Sequence, residues 1–193
     1  SNMINMNQKV DEFKKNLILD TASEYFKKLG YEKTQIDKIS KDLSIGVGTI
    51  YGYFKSKEGL FLAWLQFVID KAYKEIKEHC ADSNTPVEKL KMVVDYKIKY
   101  FEKNKTTIKG YMQNNQFFLR GISRRKEHPM ARVYQYCADI IKDLKPMDDN
   151  EAYLLATIFD GIINCYIENS FEEDNLSLKK DEIIERFLRL VGV

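Results

Sequence analysis

The 193-residue sequence is poor in residues that break helices and has almost no excess of charge of either sign. It contains 3 Pro and 9 Gly, while charged residues make up 31% of it and leave a net charge of +2. Few helix breakers among many charges of alternating sign favour a mostly helical protein with no sheet of consequence. The length allows one large domain or two small ones, and either can bury a core.

Cysteine is also scarce, which argues against a disulfide framework. The cysteines are odd in number and far apart, and each lies within an apolar helical stripe: Cys80, Cys137 and Cys165. This pattern is typical of small buried hydrophobes in a reducing compartment, so we expect neither a disulfide nor a metal site.

Signals for catalysis are missing. The sequence has 2 His, His79 and His128, and it lacks HExxH, Gly-x-Ser-x-Gly and phosphate-loop motifs. Gly46-Val47-Gly48 follows a predicted helix, whereas a dinucleotide-binding fingerprint follows a strand. An enzyme is therefore disfavoured, and we expect no catalytic residue and no cofactor.

Membrane signals are missing too. No apolar run reaches the roughly 18 residues that a membrane span needs, and the start of the sequence, SNMINMNQ, has no hydrophobic signal region. We expect a cytoplasmic protein that does not bind a membrane.

The most informative segment that is present is Leu43–Glu58, which reads LSIGVGTIYGYFKSKE. A predicted helix ends near Leu43, a turn runs through Ser44 to Gly46, and a second short helix extends from Val47 to Phe54. Two short helices joined by such a turn predict a helix-turn-helix, which places its second helix in the major groove of DNA.

The distribution of charge agrees with DNA binding. Residues 1–60 contain ten Lys, no Arg and eight Asp or Glu, whereas residues 61–193 contain 21 basic and 21 acidic residues. The positive excess therefore lies on the segment with the helix-turn-helix, as contacts with phosphates require.

The same segment resembles the TetR-type (tetracycline-repressor-like) transcriptional regulators, through Gly48–Phe54 (GTIYGYF) and the following Ser56–Leu60 (SKEGL). Upstream residues fall in the order and spacing of that family: Ala22, Tyr25, Phe26, Gly30, Tyr31, Thr34 and Ile39. The resemblance covers roughly residues 13–65 and is only architectural beyond them. It implies an all-α protein with a three-helix DNA-binding domain, residues 9–56, followed by a helical domain for effector binding and dimerisation, residues 57–193.

Apolar residues at spacings of three and four predict about nine helices. In the first helix, Phe13 and Leu17 belong to the predicted buried stripe, and Gly30 ends the helix. Thr34, Ser56 and Asp148 are predicted N-caps. The other eight predicted helices cover residues 34–43, 47–54, 57–80, 86–103, 106–122, 130–144, 150–171 and 177–191.

The second motif helix has unusual chemistry for reading bases. Between Ser44 and Phe54 there is no Arg, Lys, Asn or Gln, so the common bidentate contacts with bases are missing. Apolar and hydroxyl contacts remain, and Gly48 and Gly52 let the backbone approach DNA closely. We therefore expect an A·T-rich operator read partly through DNA shape, with help from the nearby lysines Lys9, Lys14 and Lys15.

The predicted DNA contacts come from the motif and its flanks. The resemblance implies phosphate contacts by Thr34, Tyr51, Tyr53 and Lys57, although Tyr53 can instead pack beneath the motif. The full predicted set is Thr34, Lys38, Lys41, Val47, Gly48, Thr49, Tyr51, Tyr53 and Lys57.

The second domain supplies many aromatic residues and some amides. Such residues are usually plain core, but as a group they also fit an apolar pocket for a small molecule. The candidate ligand-binding residues are Trp64, Phe67, Tyr96, Tyr100, Tyr111, Asn115, Phe118 and Tyr134. Between Lys103 and Lys126 there are seven basic residues and no acidic one, which suggests either a solvated face or an entrance for an anionic ligand.

One helix-turn-helix covers too few base pairs, so we expect a homodimer on a palindromic operator. The very apolar helix 150–171 and the last helix are the predicted dimer face, as the family also implies, through Leu155, Phe159, Ile162, Ile163, Tyr166, Ile184 and Phe187. The main hypothesis is a repressor released from DNA by a small-molecule effector, apolar or anionic. The resemblance implies that this effector moves the helix starting at Lys57. The alternative is a DNA-bound adaptor that recruits a protein and binds no small molecule.

Overall fold

The computed structural model describes residues 6–83, 85–114, 129–170 and 175–193, with the side chains of residues 106–114 left out of that description. These residues form eight α-helices, one 3-10 helix and no strand. The elements are α1 Met6–Lys33, α2 Ile36–Asp42, α3 Val47–Phe54, α4 Lys57–Cys80, α5 Pro86–Asn114, α6 Ala131–Leu144, α7 Asp149–Asn169, η1 Leu176–Lys179 and α8 Lys180–Val191. The predicted all-helical architecture is confirmed.

Local signals placed several helix starts correctly. Helices α3 and α4 begin and end at the predicted residues. Ser56 Oγ accepts a hydrogen bond from Gly59 N at 2.9 Å, and Asp148 Oδ1 accepts bonds from the backbone N–H groups of Asn150 and Glu151 at 2.9 and 3.0 Å. Both side chains cap a helix by satisfying N–H groups that have no partner within it.

Thr34 does not cap α2 as predicted. The N-cap position belongs to Gln35, whose side chain makes no capping bond. Thr34 Oγ1 instead donates to the carbonyl oxygen of Gly30 at 2.7 Å. Gly30 interrupts α1 with φ 75° and ψ 176°, a conformation that favours glycine. Because the Thr34 hydroxyl bonds to the Gly30 carbonyl oxygen, Thr34 stabilises the end of α1 and the turn that follows.

The boundary predicted after residue 103 is a kink within one helix. Helix α5 passes through Asn104, which has non-helical angles of φ −118° and ψ 19°, and continues to Asn114. Asn104 Nδ2 donates to the carbonyl oxygen of Tyr100 at 2.7 Å, so the side chain at the kink bonds to the preceding turn. The rest of the predicted helix 106–122 lies outside the described residues.

A first core joins α1, α2, α3 and the start of α4. Phe61 packs edge-on against Phe26 at 5.0 Å and against Tyr31 at 5.1 Å between ring centroids, and Trp64 lies 5.2 Å from the Phe26 ring. Because Phe61 and Trp64 belong to α4, the long helix is part of this core as well as of the second one.

Phe13 and Leu17 lie outside that core, although periodicity predicted them to be buried. Their exposed fractions are 68% and 45%. The spacing identified the apolar side of α1 correctly, but no described element covers the first turns of that side. Asp11 and Tyr53 provide the contact there, since Tyr53 Oη donates to Asp11 Oδ1 at 2.8 Å.

A second core is formed by the end of α4 with α5, α6, α7, η1 and α8. Its largest fully buried side chains come from four of these helices: Leu90, Ile98, Ile141, Phe159, Ile163, Ile183 and Phe187. Phe159 of α7 and Phe187 of α8 pack with their ring centroids 4.5 Å apart. This contact ties the last helix to the centre of the bundle.

The cysteines follow the prediction in two cases out of three. Cys80 and Cys137 are buried, whereas Cys165 is exposed on the outer side of α7. Burial raises the pKa of the Cys137 thiol to about 12, so this thiol stays protonated at neutral pH. None of the described helices is both long and apolar enough to span a bilayer.

Candidate DNA interface and ligand cavity

Burial of one side of α3 determines which of its residues are exposed on the other side. Ile50 is fully buried and Phe54 nearly so, which fixes the rotation of α3 on the first core. Gly48, Thr49, Tyr51 and Gly52 are consequently exposed. A Cβ atom added at Gly48 or at Gly52 would meet no heavy atom within 4 Å, so the protein itself does not require glycine at these positions.

The predicted side-chain donors differ in how free they are. Tyr51 is 40% exposed, and Lys38 and Lys41 are exposed on α2, while Val47 is half-buried. The Thr49 side chain is exposed next to Tyr51. These lysines of α2 and hydroxyls of α3 are together called the exposed edge of the motif below.

Tyr53 and Lys57 are held by the protein. The Asp11 carboxylate accepts a hydrogen bond from the Tyr53 hydroxyl and raises the pKa of this tyrosine, and Lys15 Nζ lies 5.7 Å from its ring centroid. Lys57 Nζ donates to the carbonyl oxygen of Glu32 at 3.1 Å and lies 4.6 Å from the ring centroid of Tyr31. Both side chains therefore orient α1 against the motif, and Lys57 keeps further N–H donors for a phosphate.

Thr34 is the one predicted phosphate contact that the structure contradicts. Its side chain is 1% exposed, and its hydroxyl is already bound to the Gly30 carbonyl oxygen. A buried hydroxyl beneath the surface cannot reach a phosphate without opening the turn. Its role is structural.

A mainly apolar cavity of about 320 Å³ lies between α4 and α5, bounded by α1, α6 and α7. The predicted ligand residues Trp64, Tyr96 and Tyr100 line it. Its apolar wall includes Phe26, Leu65, Val68, Ile69, Ala72, Ile76, Phe101, Met130, Val133 and Ile167. Such a lining, with a few polar groups, is typical of a site for a small molecule.

The other predicted ligand residues are distributed differently. Phe67 lines a separate outer cleft of about 950 Å³ between α1, α4 and α5, and the stacked rings of Tyr96 and Tyr100 border both spaces. The side chain of Tyr111 is outside the description, as are Asn115, Phe118 and most of the basic run that begins at Lys103.

Beside the cavity lies a polar cluster that sequence reasoning missed. Lys97 Nζ of α5 forms an ion pair with Asp160 of α7 and donates to Asn164 Oδ1 at 2.9 Å. Tyr134, a predicted ligand residue, donates to Asp160 Oδ2 at 3.3 Å, and burial with the nearby Asp160 carboxylate raises the pKa of this tyrosine. The sequence did contain a signal for this cluster, because Asp160 and Asn164 are polar residues four positions apart in the apolar helix α7.

The cavity also holds an unused donor. Trp64 is 7% exposed, and its Nε1 has no hydrogen-bond acceptor among the described residues. A buried N–H without an acceptor costs free energy, so this position is poorly satisfied unless something else supplies an oxygen.

Four predicted dimer residues are inside the subunit instead of on its surface. Phe159, Ile163, Ile184 and Phe187 are at most 2% exposed, because α7 and α8 pack their apolar sides against each other and α5. Leu155, Ile162 and Tyr166 are partly buried against the same core. The outer side of α7 presents a different stripe with the spacing of a helix face: Leu154, Ile158, Gly161 and Cys165.

Comparisons with known proteins agree with this architecture. Residues 18–64 match the family model described as bacterial regulatory proteins, tetR family. The chain is 24% identical over 161 residues to YhgD, an HTH-type transcriptional regulator of Bacillus subtilis, covering 78% of this chain and 82% of YhgD. It is 32% identical over 77 residues to the fatty acid metabolism regulator protein of B. subtilis, covering 40% of each.

A solved structure extends the likeness to the whole fold. The B. subtilis transcriptional regulator FadR in complex with stearoyl-CoA matches with a TM-score of 0.64 and 20% identity, over 89% of this chain and 96% of that chain. At this identity the likeness concerns the fold. It supports the succession of a helix-turn-helix domain and a helical domain.

Proposed function

The chain belongs to the TetR-type family of DNA-binding transcriptional regulators, and from this premise we propose that it is a dimeric repressor released from a palindromic operator by a small amphipathic ligand. The observation that carries the proposal is α4, which contributes Phe61 and Trp64 to the core beneath the motif and Trp64 to the cavity. One helix is therefore part of the DNA-binding unit and also lines the candidate ligand cavity. We propose residues 9–56 and 57–193 as the two functional domains.

DNA binding is assigned to the exposed edge of α2 and α3. Lys38 and Lys41 supply charge for phosphates, Tyr51 supplies a hydroxyl, and Thr49 offers a methyl group to thymine. Gly48 and Gly52 have no side chain, so the backbone of α3 can approach the DNA closely. An operator rich in A·T pairs and read partly through shape fits this chemistry. Action on chromosomal DNA implies a cytoplasmic protein.

Dimerisation is assigned to the outer stripe of α7. Leu154 and Ile158 are 58% and 37% exposed, and with Gly161 and Cys165 they form an apolar strip that another copy can cover. Two copies related by a two-fold axis would present their α3 helices to half-sites one or more helical turns apart. Alkylation of Cys165 measures this directly, since a dimer would protect its thiol and Leu154→Glu would restore the reaction.

Release from DNA follows from a shift between two arrangements of α4. A ligand between α4 and α5 favours the arrangement that fits it, and the motif helices move because Phe61 and Trp64 move with α4. The coupling is reciprocal, so operator DNA must weaken ligand binding by the factor by which ligand weakens DNA binding. FadR, which was crystallised with stearoyl-CoA, supports a ligand with a hydrocarbon chain.

The test is binding to the DNA upstream of the gene for this protein, measured by fluorescence anisotropy across a salt series. We expect salt-dependent binding to a palindrome that weakens about tenfold or more in Tyr51→Ala and in Lys38→Ala. Lys74→Ala is the matched control, because Lys74 is exposed on α4 away from the motif. Absence of binding at low salt would overturn the proposal, and binding that no small molecule releases would favour a protein-recruiting adaptor.

A further inference from the structure

The charged groups that line the mainly apolar cavity are of one sign. Its charged lining residues are Lys27 and Lys97, and no described acidic side chain lines it. Asp160 lies behind Lys97, in contact with Tyr134 and Asn164. A molecule in the cavity therefore meets an ammonium group and apolar side chains, an environment that suits an oxygen acceptor joined to a hydrocarbon.

Lys97 has a donor to spare. An ammonium group carries three N–H donors. Two are used, by the Asp160 carboxylate and by Asn164 Oδ1, which leaves one for a group within the cavity. The Lys97 side chain remains 19% exposed.

The cluster fixes Lys97 without depending on a ligand. Asp160 accepts further bonds from Tyr134 Oη at 3.3 Å and from Asn164 Nδ2 at 2.9 Å. With its carboxylate held by two neutral donors as well as Lys97, Asp160 stays in place when the ammonium turns its third N–H toward a new acceptor. A charged donor that is already oriented loses little entropy on binding, so its hydrogen bond is strong.

We propose that Lys97 anchors the acyl oxygen of an amphipathic ligand, a carboxylate or a thioester carbonyl, whose hydrocarbon chain occupies the apolar wall formed by α4, α5 and α6. This proposal rests on the function proposed above and adds the head-group chemistry and the residue that selects it. It also gives the ligand a connection to α7, because Lys97 joins α5 to the helix that carries Asp160, Asn164 and the exposed stripe.

The protein contains its own reporter for the test. Trp64 is the single tryptophan of the chain and lines the cavity, so its fluorescence responds to occupation of the site. We would titrate the full chain with dodecanoate, dodecanoyl-CoA and dodecyltrimethylammonium, each below its micellar concentration. The first two share the acyl oxygen and distinguish a free acid from a CoA thioester, and the third carries a cation on the same chain.

The variant of choice removes the donor without stranding a charge. Lys97→Met alone leaves the Asp160 carboxylate unpaired, so the test uses Lys97→Met together with Asp160→Asn. Lys91→Met is the matched control, because Lys91 lies on α5 and forms an exposed ion pair with Asp181 at 3.3 Å away from the cavity. Thermal unfolding checks that each variant is folded.

We expect at least one acyl probe to bind the wild type and the Lys91 variant equally, and the double variant about tenfold or more weakly, since hydrogen bonds to charged groups are the strong ones. The cation should bind much more weakly than the acyl probe. Equal affinity of the folded double variant, preference for the cation, or no acyl binding would overturn the proposal. Operator binding, measured separately, tests the proposed regulator function whatever the outcome here.

Discussion

The two cores of this protein differ in where their polar and charged side chains lie. The first core contains the aromatic rings around Phe61, and the proposed DNA contacts Lys38, Lys41 and Tyr51 lie outside it. The second core presents charged side chains inside, where Lys97 and Asp160 are 19% and 15% exposed. A surface that meets a large charged polymer needs exposed donors, whereas a site for a small molecule needs donors within an apolar enclosure. The comparison predicts how each region responds to substitution.

The largest effect is expected at the junction of α3 and α4. A Cβ atom at Gly59 would lie 2.0 Å from the carbonyl oxygen of Phe54, so Gly59→Ala forces the backbone of the first region apart. We expect a loss of about 2 to 3 kcal/mol in the free energy of unfolding and loss of operator binding. Urea denaturation followed by circular dichroism measures it. An Ala variant as stable as the wild type would contradict the geometry of the junction.

Next comes the interior pair of the second region. Lys97→Met should cost about 2 kcal/mol because it leaves the Asp160 carboxylate buried without its cation. Combining it with Asp160→Asn should recover much of that loss, since an amide in the same place still bonds with Tyr134 and Asn164. Denaturation of the single and double variants gives both numbers. A double variant no more stable than Lys97→Met would mean that the unpaired Asp160 carboxylate does not cause the loss of stability.

Smaller and equal effects are expected at the two capped helix starts. Ser56→Ala in the first region and Asp148→Ala in the second each remove an acceptor for backbone N–H groups, which costs about 1 kcal/mol. Only Ser56→Ala should also weaken operator binding, because α4 starts beside the motif. Unfolding curves of both variants test whether the two caps stabilise the protein equally. DNA titrations test whether only Ser56→Ala weakens operator binding.

The smallest effect, with the opposite sign, concerns the open glycines of α3. Gly48→Ala should stabilise the protein by about 0.5 to 1 kcal/mol, because the added methyl group meets no protein atom and alanine favours a helix. The same variant should bind the operator more weakly, since the methyl group occupies space needed for close approach to DNA. Gly52→Ala is the companion variant. Stabilisation with unchanged DNA affinity would remove these glycines from the interface.

Local features were the ones that the sequence predicted well. The bounds of α3 and α4 and the caps at Ser56 and Asp148 depend on neighbouring residues, so spacing alone revealed them. Periodicity also identified the apolar sides of the helices. It could not tell what covers each side, and for that reason Phe13 was expected inside but is exposed, while Phe187 was expected at a partner and is buried.

The sequence by itself determined the helical fold, the helix-turn-helix and the chemistry available on α3, because these depend on residue type and on spacings within one or two turns. Tertiary structure decided which apolar faces meet, that the Thr34 hydroxyl is buried, and that Lys97 finds Asp160 across 63 residues of chain. Contacts between distant segments depend on the packing angles of whole helices, and no local pattern encodes these angles.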